Sequence, residues 1–282
     1  MEMPDNMNGI DKIIDVALAE DIHTGDITTL SVLPQPRVMR ARLIAKEPMI
    51  LAGIDVARRV FARLDPATCF SAAFSDGARL EVGEVIARIE GDAASLLQGE
   101  RVALNLMQRM CGIATQTAAY VKQIEGTGAR VVDTRKTTPG LRVLEKYAVR
   151  VGGGTNHRTG LYDGVLIKEN HIAAAGGILE AVRLARAYIP HTLKIEVETE
   201  TLDQVSLALL AGADIIMLDN MSLAQMAEAV ELIGKQALVE ASGGVNLQSI
   251  RAIAETGVDI ISVGALTHSV RAADISMLME EH

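Results

Sequence analysis

The chain has 282 residues, of which 49% are hydrophobic and 22% are charged, and its formal net charge is -9. This composition is ordinary for a globular protein, and the length allows one large domain or two moderate ones. The acidic balance argues against a nucleic-acid-binding protein, which usually shows a basic footprint. No run of eighteen apolar residues occurs, so we expect no transmembrane helix.

The N-terminal sequence and the cysteines indicate the compartment. MEMPDNMNGIDKIID is acidic and lacks the basic and apolar regions of a signal peptide. Cys69 and Cys111 both have apolar neighbours, which predicts two buried thiols rather than a disulfide or a metal site. We therefore expect a soluble, cytoplasmic protein.

The first 110 residues mix helices and strands. IDKIIDVALAEDI and DVARRVFARL have apolar residues at helical spacing. RARLIAKEPMILAGIDV alternates like a strand, and GARLEVGEVIARIEGD indicates short strands joined by glycine turns. SLLQGERVALNLMQRMCGIATQTAAYVKQI then predicts a long helix, with a bend expected near Gly112.

From residue 129 onward, short apolar strands alternate with amphipathic helices. This pattern predicts a parallel sheet covered by helices, and the number of strands favours a (β/α) barrel although it falls short of eight. The helices after Leu202 are expected to end at Gly212, Gly234 and Gly257. The strand candidates are ARVVDTRKT, GVLIKENH, LKIEVET, DIIMLDN, ALVEASGG and DIISVGA.

Polar or glycine residues follow the apolar part of each predicted strand. The carboxyl ends of barrel strands meet at one face, where barrel enzymes place their active sites. One such residue alone could cap the next helix, but six successive strands with this feature predict a site. These strand-end positions are Thr134, Arg135 and Lys136, Lys168 to His171, Glu196 and Glu198, Asp219 and Asn220, Ser242 to Gly244, and Gly264.

Positive charge is concentrated near the first two of these strands. Residues 130–171 contain eight Lys or Arg and four acidic residues, whereas residues 191–282 contain four and fourteen. A positive region inside an acidic protein attracts anionic ligands. We expect Lys146 and Arg150 to lie on a solvated helix face instead.

The glycine-rich ends of the last two strands suggest a phosphate site. In EASGGV and SVGAL, glycine lets backbone N–H groups approach a phosphate closely, and the loops after the late strands of a barrel often bind one. A tight turn that needs only a positive φ is the alternative.

The charged side chains suggest two anionic ligands. Arginine suits carboxylates through its bidentate fork, and lysine suits phosphate as a point charge. The glycine run 152–154 would let a loop carry His157 and Arg158 over the barrel mouth. Glu198 and Asp219 could hold Mg²⁺, stabilise an oxocarbenium-like carbon, or form salt bridges. Lys168 could alternatively form a Schiff base.

The central segment DTRKTTPGLRVLEKYAVRVGGGTNHRTGLYDGVLIKENHI resembles the signature of the quinolinate phosphoribosyltransferase family. EDIHTGDITT, GERVALNLMQRMCGIAT, IEVETETL, IIMLDNM and VEASGGV resemble the other segments of that family, in the same order. The resemblance implies a type II phosphoribosyltransferase fold of class α/β. Residues 1–112 would form an N-terminal α/β sandwich, with the tail 268–282 packed on it, and residues 113–267 an incomplete barrel of about seven strands.

The resemblance also implies a reaction. Quinolinate and phosphoribosyl pyrophosphate would give nicotinate mononucleotide, pyrophosphate and CO₂ in NAD biosynthesis, with Mg²⁺ as cofactor. Mg²⁺ would be held mainly through pyrophosphate and water, with Glu198 and Asp219 as candidate ligands. The family is dimeric, which implies a homodimer; a hexamer is left open. A homologue associated with molybdenum transport and a non-catalytic ligand-binding paralogue are the alternatives.

Site residues are implied in three groups. The quinolinate carboxylates would meet Arg101 of the partner subunit together with Arg135, His157, Arg158 and Lys168. Lys136, Glu198 and Asp219 would act in catalysis and face the ribose and pyrophosphate, and Thr134 would also contact substrate. The backbones of Ser242, Gly243, Gly244, Gly264 and Ala265 would hold the 5′-phosphate.

Overall fold

The computed structural model describes residues 7–280, whose helices and strands divide between two units. An N-terminal unit comprises the chain up to Ala118, Thr137–Gly153 and the chain from Val270. A barrel unit comprises Ala119–Lys136 and Gly154–Ser269. The elements are α1 (Met7–Ile22), α2 (Ile27–Val32), β1 (Val38–Ala45), β2 (Met49–Ile50), α3 (Ile54–Leu64), β3 (Cys69–Ala72), β4 (Arg79–Leu80), β5 (Val85–Asp92), α4 (Ala93–Gln123), β6 (Arg130–Val132), α5 (Arg142–Val151), β7 (Val165–Ile167), α6 (Glu169–Ala175), α7 (Ile178–Tyr188), β8 (Ile195–Thr199), α8 (Leu202–Leu210), β9 (Ile215–Asp219), α9 (Leu223–Ile233), β10 (Leu238–Ser242), α10 (Ile250–Glu255), β11 (Ile260–Ser262), α11 (Ala265–His268) and β12 (Ile275–Glu280).

The N-terminal unit is built on an antiparallel sheet in the order β12-β1-β5-β3, beside the two-stranded sheet β2-β4. Ala41, Leu43 and Ala45 of β1 are buried, as the alternating pattern of that strand predicts. The tail contributes β12, which pairs with β1 along six residues. The predicted domain bounds stay a prediction.

Helix α4 runs through Gly112 without interruption. The glycine there allows a close approach of two backbones, since a Cβ at this position would overlap the carbonyl oxygen of Arg271. The predicted bend at Gly112 stays a prediction.

The two cysteines have different surroundings. Both are free thiols, and Cys111 on α4 is fully buried, which raises the pKa of its thiol to about 12. Cys69 is exposed, so the prediction of two buried thiols was wrong for this residue. It lies on β3, which is an edge strand of the antiparallel sheet and has little covering it.

The barrel unit contains six parallel strands in the order β6-β11-β10-β9-β8-β7. All six predicted strands are confirmed, and so is the predicted α/β class. On the edge of β6 that does not pair with β11, Val132 forms a single parallel bridge with Thr155. Within the described residues β6 and β7 do not pair, so the barrel is incomplete, with six strands where about seven were expected.

The helices of the barrel end where glycine permits a turn. Gly212, Gly234 and Gly257 follow α8, α9 and α10 with φ of +75°, +54° and +94°, which confirms the predicted ends. Across residues 7–280, the structure has no helix that combines the length and the apolar character needed to cross a membrane.

Candidate active site

A cavity of about 500 Å³ opens at the carboxyl ends of the barrel strands. Its size is typical of a site for small molecules. Most of its lining consists of the residues that the sequence predicts at strand ends. The lining residues are Thr134, Arg135, Lys136, His157, Arg158, Leu166, Lys168, Glu198, Met217, Asp219, Asn220, Glu240, Ser242, Gly243, Gly244 and Ser262.

Four basic side chains meet at this cavity. Arg135 and Lys136 follow β6, Arg158 belongs to the loop before β7, and Lys168 is the N-cap of α6. Burial, and next the positive charge of Arg135, lower the pKa of Arg158 below its ordinary value. Two guanidinium groups that line one cavity form a place where an anion is stabilised.

The backbone of Lys136 is held by hydrogen bonds with Thr267 of α11 and with Thr134. Its carbonyl accepts a hydrogen bond of 2.8 Å from Thr267 Oγ1, and its N–H donates to Thr134 Oγ1 at 3.0 Å. A Cβ at Gly264 would lie 3.3 Å from Lys136 Cδ, so the glycine leaves room for the lysine side chain. Gly264 and Ala265 therefore lie beside Lys136, at the start of α11.

Two carboxylates, Glu198 and Asp219, form the acidic part of the cavity lining. Glu198 is the next-to-last residue of β8 and is half-buried. Asp219 is the last residue of the adjacent strand β9. The Lys168 ammonium forms an ion pair with Glu198. The salt bridge that the sequence left as an alternative for Glu198 is thus present, and it links the basic and acidic parts of one cavity.

The turn after β10 brings backbone close to β9. Gly243 and Gly244 have φ of +94° and +59°, in the left-handed region that favours glycine. A Cβ at Gly243 would lie 2.6 Å from Asn220 Cγ and 2.9 Å from Asn220 N, which leaves no space for a side chain. Asn220 itself has φ of +55° and donates from Nδ2 to Asp219 Oδ2 at 2.8 Å.

The loop that carries Arg158 is fixed to β6. Thr155 N–H donates to the Val131 carbonyl at 2.9 Å. The buried carboxylate of Asp133 accepts from Asn156 Nδ2 at 2.6 Å and from the N–H of His157 at 2.9 Å. The glycine run before this loop therefore leads into an ordered segment, residues 154–158.

A cluster of three largely buried side chains lies at the cavity wall, where His157 and Glu240 are part of the lining. His157 Nε2 is 3.0 Å from Glu196 Oε2 and 3.6 Å from Glu240 Oε2. Burial, and next the charge of Glu196, raise the pKa of Glu240 to about 8. Within the described residues, Glu196 Oε1 and Glu240 Oε1 are buried without a hydrogen-bond partner.

The structure brings most of the predicted site residues together. Arg101 is the exception: it lies on α4, in the N-terminal unit, where its side chain is exposed. Sequence reasoning placed Asn220 at a strand end of the site without giving it a role, and it missed Glu240 as a site residue. Glu240 had a signal, because it is a carboxylate inside the otherwise apolar strand ALVEAS.

Comparison with known proteins decides the family. Residues 26–111 match the family description "Quinolinate phosphoribosyl transferase, N-terminal domain", and residues 113–278 match its C-terminal domain. The chain belongs to the quinolinate phosphoribosyltransferase family. Its fold is the type II phosphoribosyltransferase fold, and its activity is the pentosyl transfer to quinolinate that names the family, a step of NAD biosynthesis.

Individual relatives agree with this assignment. The "Probable nicotinate-nucleotide pyrophosphorylase (carboxylating)" of Bacillus subtilis is 48% identical over 266 residues, covering 94% of this chain and 92% of the relative. The nicotinate-nucleotide pyrophosphorylase (carboxylating) of Mycobacterium leprae is 44% identical over 267 residues, covering 93% and 94%. The crystal structure of NadC from Streptococcus pyogenes has a TM-score of 0.92 at 45% identity and covers 95% of both chains. These names agree with the quinolinate assignment and not with the molybdenum-associated alternative.

Proposed function

We propose that the barrel cavity binds quinolinate and phosphoribosyl pyrophosphate side by side and joins them at its centre. The observation that carries this proposal is the charge pattern around one cavity: four basic side chains, the strand-end carboxylates of Glu198 and Asp219, and a glycine turn. Quinolinate has two carboxylates and its co-substrate several phosphate charges, so a site for both needs this many cations.

The dicarboxylate subsite is formed by Arg135, Arg158 and Lys168. The guanidinium groups of Arg135 and Arg158 offer paired N–H donors that match a carboxylate. Burial, and next the charge of Arg135, lower the pKa of Arg158, and an anion bound between the two guanidinium groups would favour its charged form. Arg101 of the partner subunit completes this subsite in a homodimer, and a hexamer would preserve that pairing.

The phosphoribosyl subsite lies on the other side of the cavity. Lys136 faces the pyrophosphate, while Glu198 and Asp219 face the ribose. The backbone N–H groups of residues 242–244, with those of Gly264 and Ala265, hold the 5′-phosphate, and Thr134 contributes its hydroxyl to substrate. Positive φ at Gly243 and Gly244 gives the backbone the close approach that a phosphate needs.

Mg²⁺ fits the acidic part of the site. Glu198 and Asp219 present hard carboxylate oxygens on adjacent strand ends, next to the position assigned to pyrophosphate. They would hold the ion directly or through water. When bound, Mg²⁺ supplies positive charge that stabilises the departing pyrophosphate.

The residues of the chain then act on two successive bond changes. The lone pair of the pyridine nitrogen forms the bond to the anomeric carbon, and the electrons of the breaking C–O bond leave with pyrophosphate. Glu198 and Asp219 stabilise the positive charge that develops on the ribose, and Lys136 stabilises the negative charge on the leaving group. The positively charged ring nitrogen next accepts the electron pair of the adjacent C–C bond, so that CO₂ departs and a proton replaces it.

The cellular setting is also part of the proposal. We place the reaction in the cytoplasm, with the chain as a homodimer. Two free thiols, one of them exposed, suit a reducing compartment.

The test is product formation from quinolinate, phosphoribosyl pyrophosphate and Mg²⁺, with nicotinate in a parallel reaction. We expect nicotinate mononucleotide and CO₂ from quinolinate, and no product from nicotinate. Turnover of nicotinate without turnover of quinolinate would retain the phosphoribosyl subsite and overturn the dicarboxylate subsite. Lack of product from both substrates would overturn the assignment of the cavity.

A further inference from the structure

The ring of His157 has both nitrogens engaged inside the protein. The N–H of Arg158 donates to His157 Nδ1 at 2.8 Å. A nitrogen that accepts this bond carries a lone pair, so the proton of the neutral ring is on Nε2. That N–H lies 3.0 Å from Glu196 Oε2. His157 therefore has no ring nitrogen left to donate to a substrate carboxylate.

The same contacts connect three parts of the barrel. Glu196 is on β8 and Glu240 is on β10, and their side chains are 4% and 1% exposed. His157 belongs to the ordered segment 154–158, which is also bonded to β6 and the residue after it through the Asp133 carboxylate and the Thr155 backbone. The histidine ring thus connects that segment to β8 and β10.

Arg158 depends directly on this connection. Its backbone N–H is the donor to His157 Nδ1, and its guanidinium donates to the carbonyl of Gly164 at 3.1 Å. A shift of the His157 ring would move the Arg158 backbone and change the direction of a side chain that lines the cavity.

A metal ion does not explain the cluster. The three side chains offer ligand atoms within 4.8 Å of one another. A metal ion there would need the lone pair of His157 Nε2, but the hydrogen bond from Arg158 leaves the proton on that nitrogen.

We infer that His157 is a positioning residue and not a ligand of quinolinate: with the buried carboxyl groups of Glu196 and Glu240, it fixes the segment 154–158 so that Arg158 faces the dicarboxylate subsite. This inference rests on the proposed function, because it assumes that Arg158 binds a substrate carboxylate. It assigns roles to Glu196 and Glu240, which would act on substrate binding by holding the His157 ring in place.

The first test determines which ring nitrogen of His157 carries the proton. In protein labelled with ¹⁵N-histidine, with His157→Gln used to assign the signal, we expect a neutral ring protonated on Nε2, both free and saturated with quinolinate. A ring protonated on Nδ1, or one that becomes an imidazolium when quinolinate binds, would overturn the inference. The reading on the free protein does not depend on activity, so it separates this inference from the proposed function.

The second test is kinetic and compares the KM values for the two substrates. His157→Ala should raise the KM for quinolinate by about 10- to 100-fold and change the KM for phosphoribosyl pyrophosphate by less than about threefold. Glu196→Ala and Glu240→Ala should raise the same KM, although neither carboxyl group is assigned a bond to the substrate. Glu228→Ala, an exposed carboxylate on the outer helix α9, is the matched control and should behave like the wild type.

A double-mutant cycle separates positioning from direct contact. If His157 acts through Arg158, then His157→Ala should add less than about threefold in KM to the effect of Arg158→Ala. Additive effects would show a separate contact with the substrate and overturn the inference. Far-ultraviolet circular dichroism checks folding, and His157→Gln replaces the alanine variant if the latter does not fold, because its amide still donates to Glu196 but leaves the Arg158 N–H without an acceptor.

Discussion

A single cation, Lys136, carries the strongest prediction about the chemical step. Its ammonium would neutralise charge that appears on pyrophosphate only as the C–O bond breaks, so its loss should lower kcat and not only binding. We expect Lys136→Ala to reduce kcat by about 10²- to 10³-fold. The exposed position of the side chain predicts an unchanged fold, which circular dichroism would verify.

Lys194 offers a matched control for that substitution. It is also an exposed lysine, but it precedes β8 and so lies at the amino end of the strand, away from the cavity. Lys194→Ala should retain wild-type kcat. Near-normal turnover of the Lys136 variant in the same assay would overturn the role of this residue in leaving-group stabilisation.

The raised pKa of the buried Glu240 carboxyl group predicts how the stability of the protein depends on pH. Burial and the charge of Glu196 raise its pKa from 4.5 in the unfolded chain to about 8 in the folded protein, so the folded protein binds this proton more tightly. The stabilisation is complete below about pH 4.5 and is lost as the pH rises through about 8. Glu240→Gln keeps an uncharged hydrogen-bonding group that cannot ionise, and its stability should lack this dependence.

The measurement is thermal unfolding of both proteins between pH 5 and pH 9. The difference in unfolding free energy should shift toward the Gln variant by up to about 1.4 kcal/mol per pH unit as the pH rises toward 8. Glu228→Gln should follow the wild type throughout, because its carboxylate is exposed on α9. Parallel curves for wild type and Glu240→Gln would mean that Glu240 is ionised at neutral pH.

At the scale of elements, the turn after β10 can be tested with a pair of adjacent glycines. Both have a positive φ, so an alanine at either position is strained by about 1 kcal/mol. Only Gly243 also lies against Asn220, where a Cβ would be 2.6 Å from Cγ; Gly244 has open space. Gly243→Ala must therefore displace the turn or Asn220, whereas Gly244→Ala need not.

We expect Gly243→Ala to raise the KM for phosphoribosyl pyrophosphate by at least about tenfold and Gly244→Ala by clearly less. The KM for quinolinate should change little in both variants, because the turn serves the phosphate. Equal effects of the two substitutions would show that backbone strain, and not the contact with Asn220, controls the turn.

The elements themselves were largely predictable from the sequence. Apolar strands alternate with helices from β6 to β11, and each helix from α8 to α10 is followed by a glycine, so the six strands and these helix ends could be read from local patterns. The polar residues at strand ends were predictable for the same reason, because barrel geometry places those ends together.

Features that depend on packing between distant segments were not predictable. Lys146 was expected on a solvated helix face but is only 4% exposed, and Cys69 was expected to be buried but lies on an edge strand. The cluster of His157 with Glu196 and Glu240 joins a loop to two strands. No local pattern states which strands are neighbours, so these contacts appear only when the sheet order is known.

In the assembled protein, Arg101 must reach the substrate from its place in the N-terminal unit. The side chain is exposed on α4 of the N-terminal unit, while the other predicted quinolinate contacts line the barrel cavity. A homodimer in which each subunit supplies Arg101 to the other would bring these groups together. This arrangement predicts that two inactive variants can restore each other.

Arg101→Ala and Lys136→Ala should each be nearly inactive alone. After subunit exchange in an equal mixture, about half of the dimers contain one subunit of each kind, and one of their two sites has every side chain intact. The mixture should therefore recover about a quarter of the wild-type activity. Lys136→Ala mixed with Asp219→Ala is the control: both lesions lie in the barrel cavity of their own subunit, so no hybrid site is intact. Recovery absent from the first mixture, with exchange verified by mass spectrometry, would show that Arg101 does not serve the partner subunit; recovery in the control would show that the cavity itself is shared between subunits.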